Sequence, residues 1–75
     1  FNPFTNIRFS IPKNEFVTLS IIDATGKIAA EPVKRELAPG NDTVDFDASN
    51  LASGIYFYRL TAGTFVHTMK MVVVK

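Results

Sequence analysis

The sequence predicts an all-β fold, a small antiparallel β-sandwich of about six to seven strands. Short runs in which apolar and polar residues alternate are typical of strands with one buried face and one wet face. Single glycines and prolines separate these runs, and no stretch keeps its apolar residues at a helical spacing for more than about two turns. A chain of 75 residues has room for one compact core, so we predict a single domain over residues 1–75.

The first two strands are predicted at residues 5–11 and 16–23. Apolar and polar residues alternate in the first, and Pro12 ends it because proline has no N–H to donate to a neighbouring strand. The second carries apolar residues on both faces, which is typical of a strand at the centre of a sheet. At its end Asp23 can accept hydrogen bonds from the turn and Gly26 can take a positive φ, so a tight reversal is predicted.

The third strand is predicted at residues 27–37 and the fourth at residues 42–47. Pro32 lies in the middle of the third strand, which must therefore be an edge strand or be broken there. The order Ala38-Pro39-Gly40-Asn41 is that of a type II turn and predicts a hairpin between these two strands. The side chains of the fourth strand expected to face inward are Val44 and Phe46.

The last third of the chain is predicted to contain a connection and two strands. Residues 48–54 are irregular, and we expect them to cross between two sheets while Leu51 packs into the core. In residues 55–62 the charge of Arg59 favours water, so the opposite face is buried. The residues on that buried face are Tyr56, Tyr58 and Leu60. The final strand, residues 64–75, should point Lys70 outward. Its inward residues are predicted to be Phe65, Met69, Met71 and Val73.

Composition and charge exclude several classes of function. Eight basic and seven acidic side chains are interspersed and give a net charge of +1, so no nucleic-acid-binding surface is predicted. The apolar stretches are far shorter than the roughly 20 residues needed to cross a bilayer, so no membrane insertion is predicted. The chain has no cysteine, so packing of the core must stabilise it without disulfides.

The residue types needed for catalysis or metal binding do not occur in a recognisable pattern. His67 is the only histidine, and no serine lies in a Gly-x-Ser-x-Gly turn, so a hydrolytic triad lacks both its base and the geometry of its nucleophile. Asp42, Asp45 and Asp47 could together hold a hard cation through oxygen ligands. Carboxylates on one face of a strand are more often a solvated surface, so we predict no enzyme activity, no metal and no cofactor.

The aromatic residues support an alternative function. Aromatic rings on a flat sheet face can stack on sugars, as they do in β-sandwich carbohydrate-binding modules. Most of the aromatic side chains are expected inside the protein, namely Phe9, Phe46, Tyr56, Tyr58 and Phe65. The candidates that remain for a platform are Phe1, Phe4, Phe16 and Phe57. A carbohydrate-binding or spacer module of a secreted hydrolase is therefore the alternative.

Four motif segments follow one another along the whole chain. They are Asn2-Pro3-Phe4 with Ile7-Arg8-Phe9-Ser10-Ile11-Pro12, then Ile21-Ile22-Asp23-Ala24-Thr25-Gly26-Lys27, then Leu51-Ala52-Ser53-Gly54-Ile55-Tyr56-Phe57-Tyr58-Arg59-Leu60, and finally Lys70-Met71-Val72-Val73-Val74-Lys75. This ordered set resembles the C-terminal sorting domain of the type IX secretion system, an immunoglobulin-like β-sandwich at the end of many exported bacterial proteins. The resemblance implies that the chain is the C-terminal part of a larger exported protein.

The resemblance also implies a function, partners and a destination. The function is that of a non-catalytic C-terminal secretion signal, which directs a cargo protein through the type IX secretion system. The implied partners are the translocon and a sortase-like surface protease. The implied route leads through the periplasm to the outer-membrane surface or the extracellular space. The positions that match the family's motif, and that are implied to be recognised by the translocon, are Gly54, Tyr56, Lys70, Val72, Val74 and Lys75.

Two further possibilities concern assembly and fold. An uncovered strand edge on so small a sheet would allow a homodimer. The immunoglobulin-like domain of flagellar hook-capping proteins has a similar Asp-x-x-Gly turn and Gly-hydrophobic-Tyr strand, and it is the second candidate family. Its loop before the Gly-Tyr strand is typically longer than residues 48–53, and it does not end on a Lys-flanked valine strand.

Overall fold

The computed structural model describes residues 4–74, and every regular element in that range is a β-strand. The six strands are β1 (Phe4–Ile11), β2 (Glu15–Asp23), β3 (Ile28–Leu37), β4 (Gly40–Asp47), β5 (Gly54–Ala62) and β6 (Phe65–Val73). The all-β prediction is confirmed, and each predicted strand overlaps an observed one. The last strand is paired with its neighbour along its whole length.

The strands form two antiparallel sheets that face each other across one core. β1 and β4 make a two-stranded sheet, and the other strands lie in the order β3-β2-β5-β6. β2 has a neighbour on each side, as its two apolar faces predicted. The buried hydrophobic residues come from all six strands and the connection after β4: Ile7, Ile11, Val17, Leu19, Ile21, Val33, Phe46, Ala48, Tyr56, Leu60, Ala62, Met71 and Val73.

The turn after β2 is built around the Asp23 carboxylate, as predicted. Its Oδ1 accepts hydrogen bonds from the Thr25 N–H (2.9 Å), the Thr25 hydroxyl (2.6 Å) and the Lys27 N–H (3.0 Å). Gly26 takes a φ of 91°, which favours glycine. The hydrogen bond from the Thr25 hydroxyl, and then the one from the Lys27 N–H, hold the pKa of Asp23 below its ordinary value of 3.8.

Pro32 predicted that β3 is either an edge strand or broken at the proline. β3 lies at an edge of the four-stranded sheet. Between the pairs Leu19↔Val33 and Ile21↔Ala30, β2 advances by two residues while β3 advances by three. The extra residue of β3 makes a β-bulge, a place where a sheet tolerates a proline that has no N–H. The strand is therefore continuous through Pro32.

The hairpin predicted between β3 and β4 is wrong. β4 pairs with β1, placing Ile7 opposite Val44, so the chain crosses to the other sheet between Leu37 and Gly40. Gly40 has a φ of 143°, far from the value of about +80° that the second central residue of a type II turn requires. Turn residues specify a change of direction, whereas the sheet that receives the next strand depends on which apolar face still needs a cover.

The connection between β4 and β5 crosses between the sheets, as predicted. Leu51 is half-buried and packs against the core, and its N–H donates a hydrogen bond to the carbonyl of Ala48 (2.9 Å). Ala48 is fully buried. The irregular segment thus contributes Ala48 and Leu51 to the core.

The inward positions predicted for β6 are correct only in its second half. Met71 and Val73 are buried, but Phe65 and Met69 are 57% and 44% exposed, so their predicted burial is wrong. These two side chains share the alternation of Met71 and therefore project from the inner face of the sheet. A two-stranded sheet is narrower than a four-stranded one, and it leaves the beginning of β6 uncovered. The Phe65 ring stacks on His67 there, with ring centroids 6.3 Å apart.

Candidate functional site

The outer face of β6 and the residue that follows the strand carry three of the six positions predicted for recognition. Lys70 and Val72 alternate with the buried residues Met71 and Val73, and they therefore project outward. Val74 follows directly after the strand and is also exposed. In the adjoining strand, Phe57 is the register partner of Lys70 and Ile55 is that of Val72. The end of β6 and the beginning of β5 thus form one surface.

This surface is apolar and open to solvent. Ile55, Val72 and Val74 are 45%, 42% and 59% exposed. The apolar row continues across the sheet, because Phe57 pairs with Ile22, and Ile22 pairs with Ile28. We call the set Ile22, Ile28, Ile55, Phe57, Val72 and Val74, with Lys70 beside it, the terminal patch. Contiguous apolar patches of this kind on a small protein mark sites of interaction with another molecule.

Tyr56 and Gly54 lie at the same end of the sheet but have structural surroundings. Tyr56 projects into the core, and its hydroxyl donates a hydrogen bond to the carbonyl of Ala52 (2.8 Å). Gly54 has a φ of 155° and pairs with Val73, with open space where a Cβ would lie. The two residues shape the start of β5, from which Ile55 and Phe57 project. The sixth predicted position, Lys75, lies outside the described residues.

Sequence reasoning assigned Lys70 and the valines to this region but missed Ile28 and Ile55. Each belongs to a different strand, and only the pairing register brings them to one face. The sequence does contain a signal for Ile55. This residue alternates with Tyr56, which was predicted to be buried, and shares a face with Arg59, which was predicted to face water, so Ile55 belongs to the outer face. No comparable signal in the sequence links Ile28 to β5.

The residues considered for metal binding, Asp42, Asp45 and Asp47, all lie on β4 of the two-stranded sheet. Asp45 accepts a hydrogen bond from the side-chain amide of Asn6 (2.6 Å), and Asp47 accepts one from the Ser49 N–H (2.9 Å). Within residues 4–74, no group of three or more histidine, cysteine or acidic residues is placed to hold a metal ion. The same range includes no helix long and apolar enough to cross a membrane.

The aromatic candidates for a sugar platform do not come together. Phe4 lies on the two-stranded sheet, whereas Phe16 and Phe57 project from the outer face of the four-stranded sheet. Phe57 is opposite Ile22, six residues along β2 from Phe16, which separates the two rings' backbones by about 20 Å. Phe1 lies outside the described residues.

The family model of the secretion system C-terminal sorting domain matches residues 2–75 of the chain. The chain belongs to this family. The match covers the whole succession of motif segments and confirms the resemblance to the type IX secretion sorting domain. No significant match was found among curated proteins or solved structures.

The sorting domain brings three of its motif segments to one end of the four-stranded sheet. Asp23, at the start of the turn after β2, is opposite Tyr56 in β5. Gly54, two residues earlier in β5, is opposite Val73 near the end of β6. Segments that are about 20 to 50 residues apart in the chain therefore surround the terminal patch. As a member of this family, the chain is a C-terminal sorting signal for type IX secretion.

Proposed function

We propose that the 75 residues act as one non-catalytic domain at the C-terminal end of a larger exported protein, and that the type IX translocon recognises it through the terminal patch. The cargo then travels through the periplasm to the outer-membrane surface or the extracellular space. A sortase-like surface protease is the second proposed partner. Family membership supports the role of sorting signal.

The single observation that carries the proposed recognition site is the exposure of Val72 and Val74 beside Lys70. The last strand of a small sandwich is needed for the core, and Met71 and Val73 meet that need by their burial. Strand propensity favours β-branched residues at the outward positions, but threonine meets that preference as valine does, so stability does not require these positions to be apolar. An apolar surface at these positions is favourable if a partner covers it.

A non-catalytic role is supported by the kind of chemistry the exposed residues can perform. The terminal patch consists of aliphatic and aromatic side chains with Lys70 beside them, and hydrocarbon side chains bind partners but offer no acid, base or nucleophile. His67, the general base considered from the sequence, is exposed on β6 beside Phe65. Its surroundings offer no serine or cysteine within the Phe65–Val73 strand that it could activate.

The experiment is an export assay on residues 1–75 fused behind a neutral periplasmic reporter in a host with the type IX system. Val72→Thr keeps the shape of the side chain and makes it polar, and Lys70→Gln removes the charge. We expect each variant to deliver about tenfold less reporter to the surface, which corresponds to a loss of about 1.4 kcal/mol of binding. The free energy of unfolding of each isolated variant domain should stay within about ±0.5 kcal/mol of the parent, as expected for exposed positions.

Matched controls use the same substitutions elsewhere on the outer face of the sheet. Val66→Thr changes an exposed valine at the other end of β6, and Lys34→Gln changes an exposed lysine on β3. Both controls should be exported like the parent. If the reporter never reaches the surface with the intact domain, the sorting role is wrong. If Val72→Thr and Val66→Thr lower export equally, the terminal patch is not the site of recognition.

A further inference from the structure

The two edges of the four-stranded sheet are built differently. β3, at one edge, contains Pro32 and two shifts of register, and it has charged residues at four of its ten positions. Proline, bulges and charges are the devices by which edge strands avoid pairing with another chain. The charged residues are Glu31, Lys34, Arg35 and Glu36. This edge is protected against addition of a further strand.

β6, at the other edge, has almost none of these devices. Its nine residues pair with β5 in one unbroken register from Gly54↔Val73 to Ala62↔Phe65. The strand contains no proline, and Lys70 is its only lysine, arginine or acidic residue. Phe65, Val66 and Met69 are exposed along it. A long, regular, apolar edge of this kind is a template for another strand.

We propose that β6 pairs with β6 of a second copy of this chain, antiparallel, with the two Met69 residues facing each other at the twofold axis. Met69 is the midpoint of Phe65–Val73, so this is the register in which all nine residues of one strand face all nine of the other. The proposal rests on the fold and the sequence pattern of the edge, and it does not depend on the proposed role of the terminal patch.

The charge of Lys70 favours the register with Met69 at the twofold axis over the register with Lys70 there. With Met69 at the axis, Lys70 faces Thr68 of the second copy. With Lys70 at the axis, the two ammonium groups would lie directly opposite each other, which destabilises a pair of strands. The side chains on the outer face also match, because Val66 would face Val72.

The uncovered inner side chains give the second reason to expect a copy of the same chain. In this register Phe65 faces Val73 of the second copy, and His67 faces Met71. Val73 and Met71 are buried core residues, so the exposed start of each β6 would lie beside the core of the other subunit. The two cores would join across the new eight-stranded sheet, covering the residues that the two-stranded sheet leaves exposed.

The absence of cysteine from the chain makes a direct test possible. Residues directly opposite in antiparallel strands have Cα atoms about 4.5–5.5 Å apart, within the range of a disulfide. Met69→Cys should therefore form a disulfide-linked dimer under mild oxidation. Thr68→Cys should do so much less, because the two copies of residue 68 would be diagonal neighbours at about 7–8 Å. Arg35→Cys, on the protected edge, is the control for random collision.

The unmodified chain is tested by sedimentation equilibrium over a range of concentrations. The apparent mass should rise from 8.3 kDa towards twice that value. Met69→Lys puts two charges at the axis and should weaken the dimer at least tenfold while its circular dichroism stays that of the parent. The proposal is overturned if the parent remains monomeric up to about 1 mM, a concentration at which only very weak pairing would escape detection. It is equally overturned if Met69→Cys and Arg35→Cys cross-link at the same rate.

Discussion

Replacing Tyr56 by phenylalanine separates a structural role of this residue from recognition by the translocon. The change removes one oxygen and leaves the buried ring in place. The lost interaction is the 2.8 Å hydrogen bond from the Tyr56 hydroxyl to the Ala52 carbonyl. Tyr56→Ala would be less informative, because emptying a buried aromatic site costs about 3–5 kcal/mol. A domain of this size has a total stability of that order and would unfold.

The expected loss for Tyr56→Phe is about 1 kcal/mol, the net contribution of one protein hydrogen bond. In a domain of 60–100 residues such a loss lowers the melting temperature by about 4–8 °C. Most molecules would remain folded, because about 3–5 kcal/mol of stability is available at the start. Export of a fused reporter should therefore stay close to that of the parent.

Urea unfolding followed by far-UV circular dichroism measures the change in stability. Tyr58→Phe is the matched control, since within residues 4–74 the Tyr58 hydroxyl has no hydrogen-bond partner. That control should stay within about 0.5 kcal/mol of the parent. The reasoning is refuted if Tyr56→Phe and Tyr58→Phe have the same stability. A Tyr56→Phe domain that keeps its stability but is not exported would show that the hydroxyl is recognised directly.

Three other predictions concern the turn, the backbone and the core. The lowered pKa of Asp23 means that its contribution to stability is complete above about pH 5 and is lost as the pH falls through the ordinary value of 3.8 and then through the lower native pKa. The urea midpoint of Asp23→Asn should therefore change less than that of the parent between about pH 7 and about pH 3. Gly54→Ala should destabilise the domain by about 1–3 kcal/mol through backbone strain alone, because φ is 155° and the space around a Cβ is open; an unchanged melting temperature would contradict this. Ile21→Val, at a fully buried position, should cost about 0.5–1.5 kcal/mol in urea unfolding, whereas Ile28→Val on the exposed edge strand should cost less than about 0.5 kcal/mol.

The features that could be predicted correctly are those encoded within a few neighbouring residues. The two apolar faces of β2 predicted a central strand, and Pro32 predicted an edge or a break. The Asp23 turn was predicted down to the residue that accepts the hydrogen bonds. In each case the side chain or the backbone restriction acts on its own segment, so that the physical cause and its effect lie close together in the chain.

The candidate site was predicted only in part, for a reason that concerns register. Lys70, Val72 and Val74 could be named because their segment resembles a family motif. Ile28 and Ile55 could not, since their place beside these residues follows from the pairing of β2 with β3 and of β5 with β6. A shift of one residue in either pairing would have moved these side chains to the other face of the sheet.

The sequence by itself determined the strands, the turn at Asp23 and membership of the sorting-domain family. The tertiary structure decided which strands share a sheet, and it sent β4 to β1 instead of β3. It also decided that Phe65 and Met69 stay exposed although they alternate with buried residues. Alternation tells which side chains share a face, because the period of a strand is a local property. Whether that face is covered depends on the width of the opposite sheet, which is assembled from residues distant in the chain.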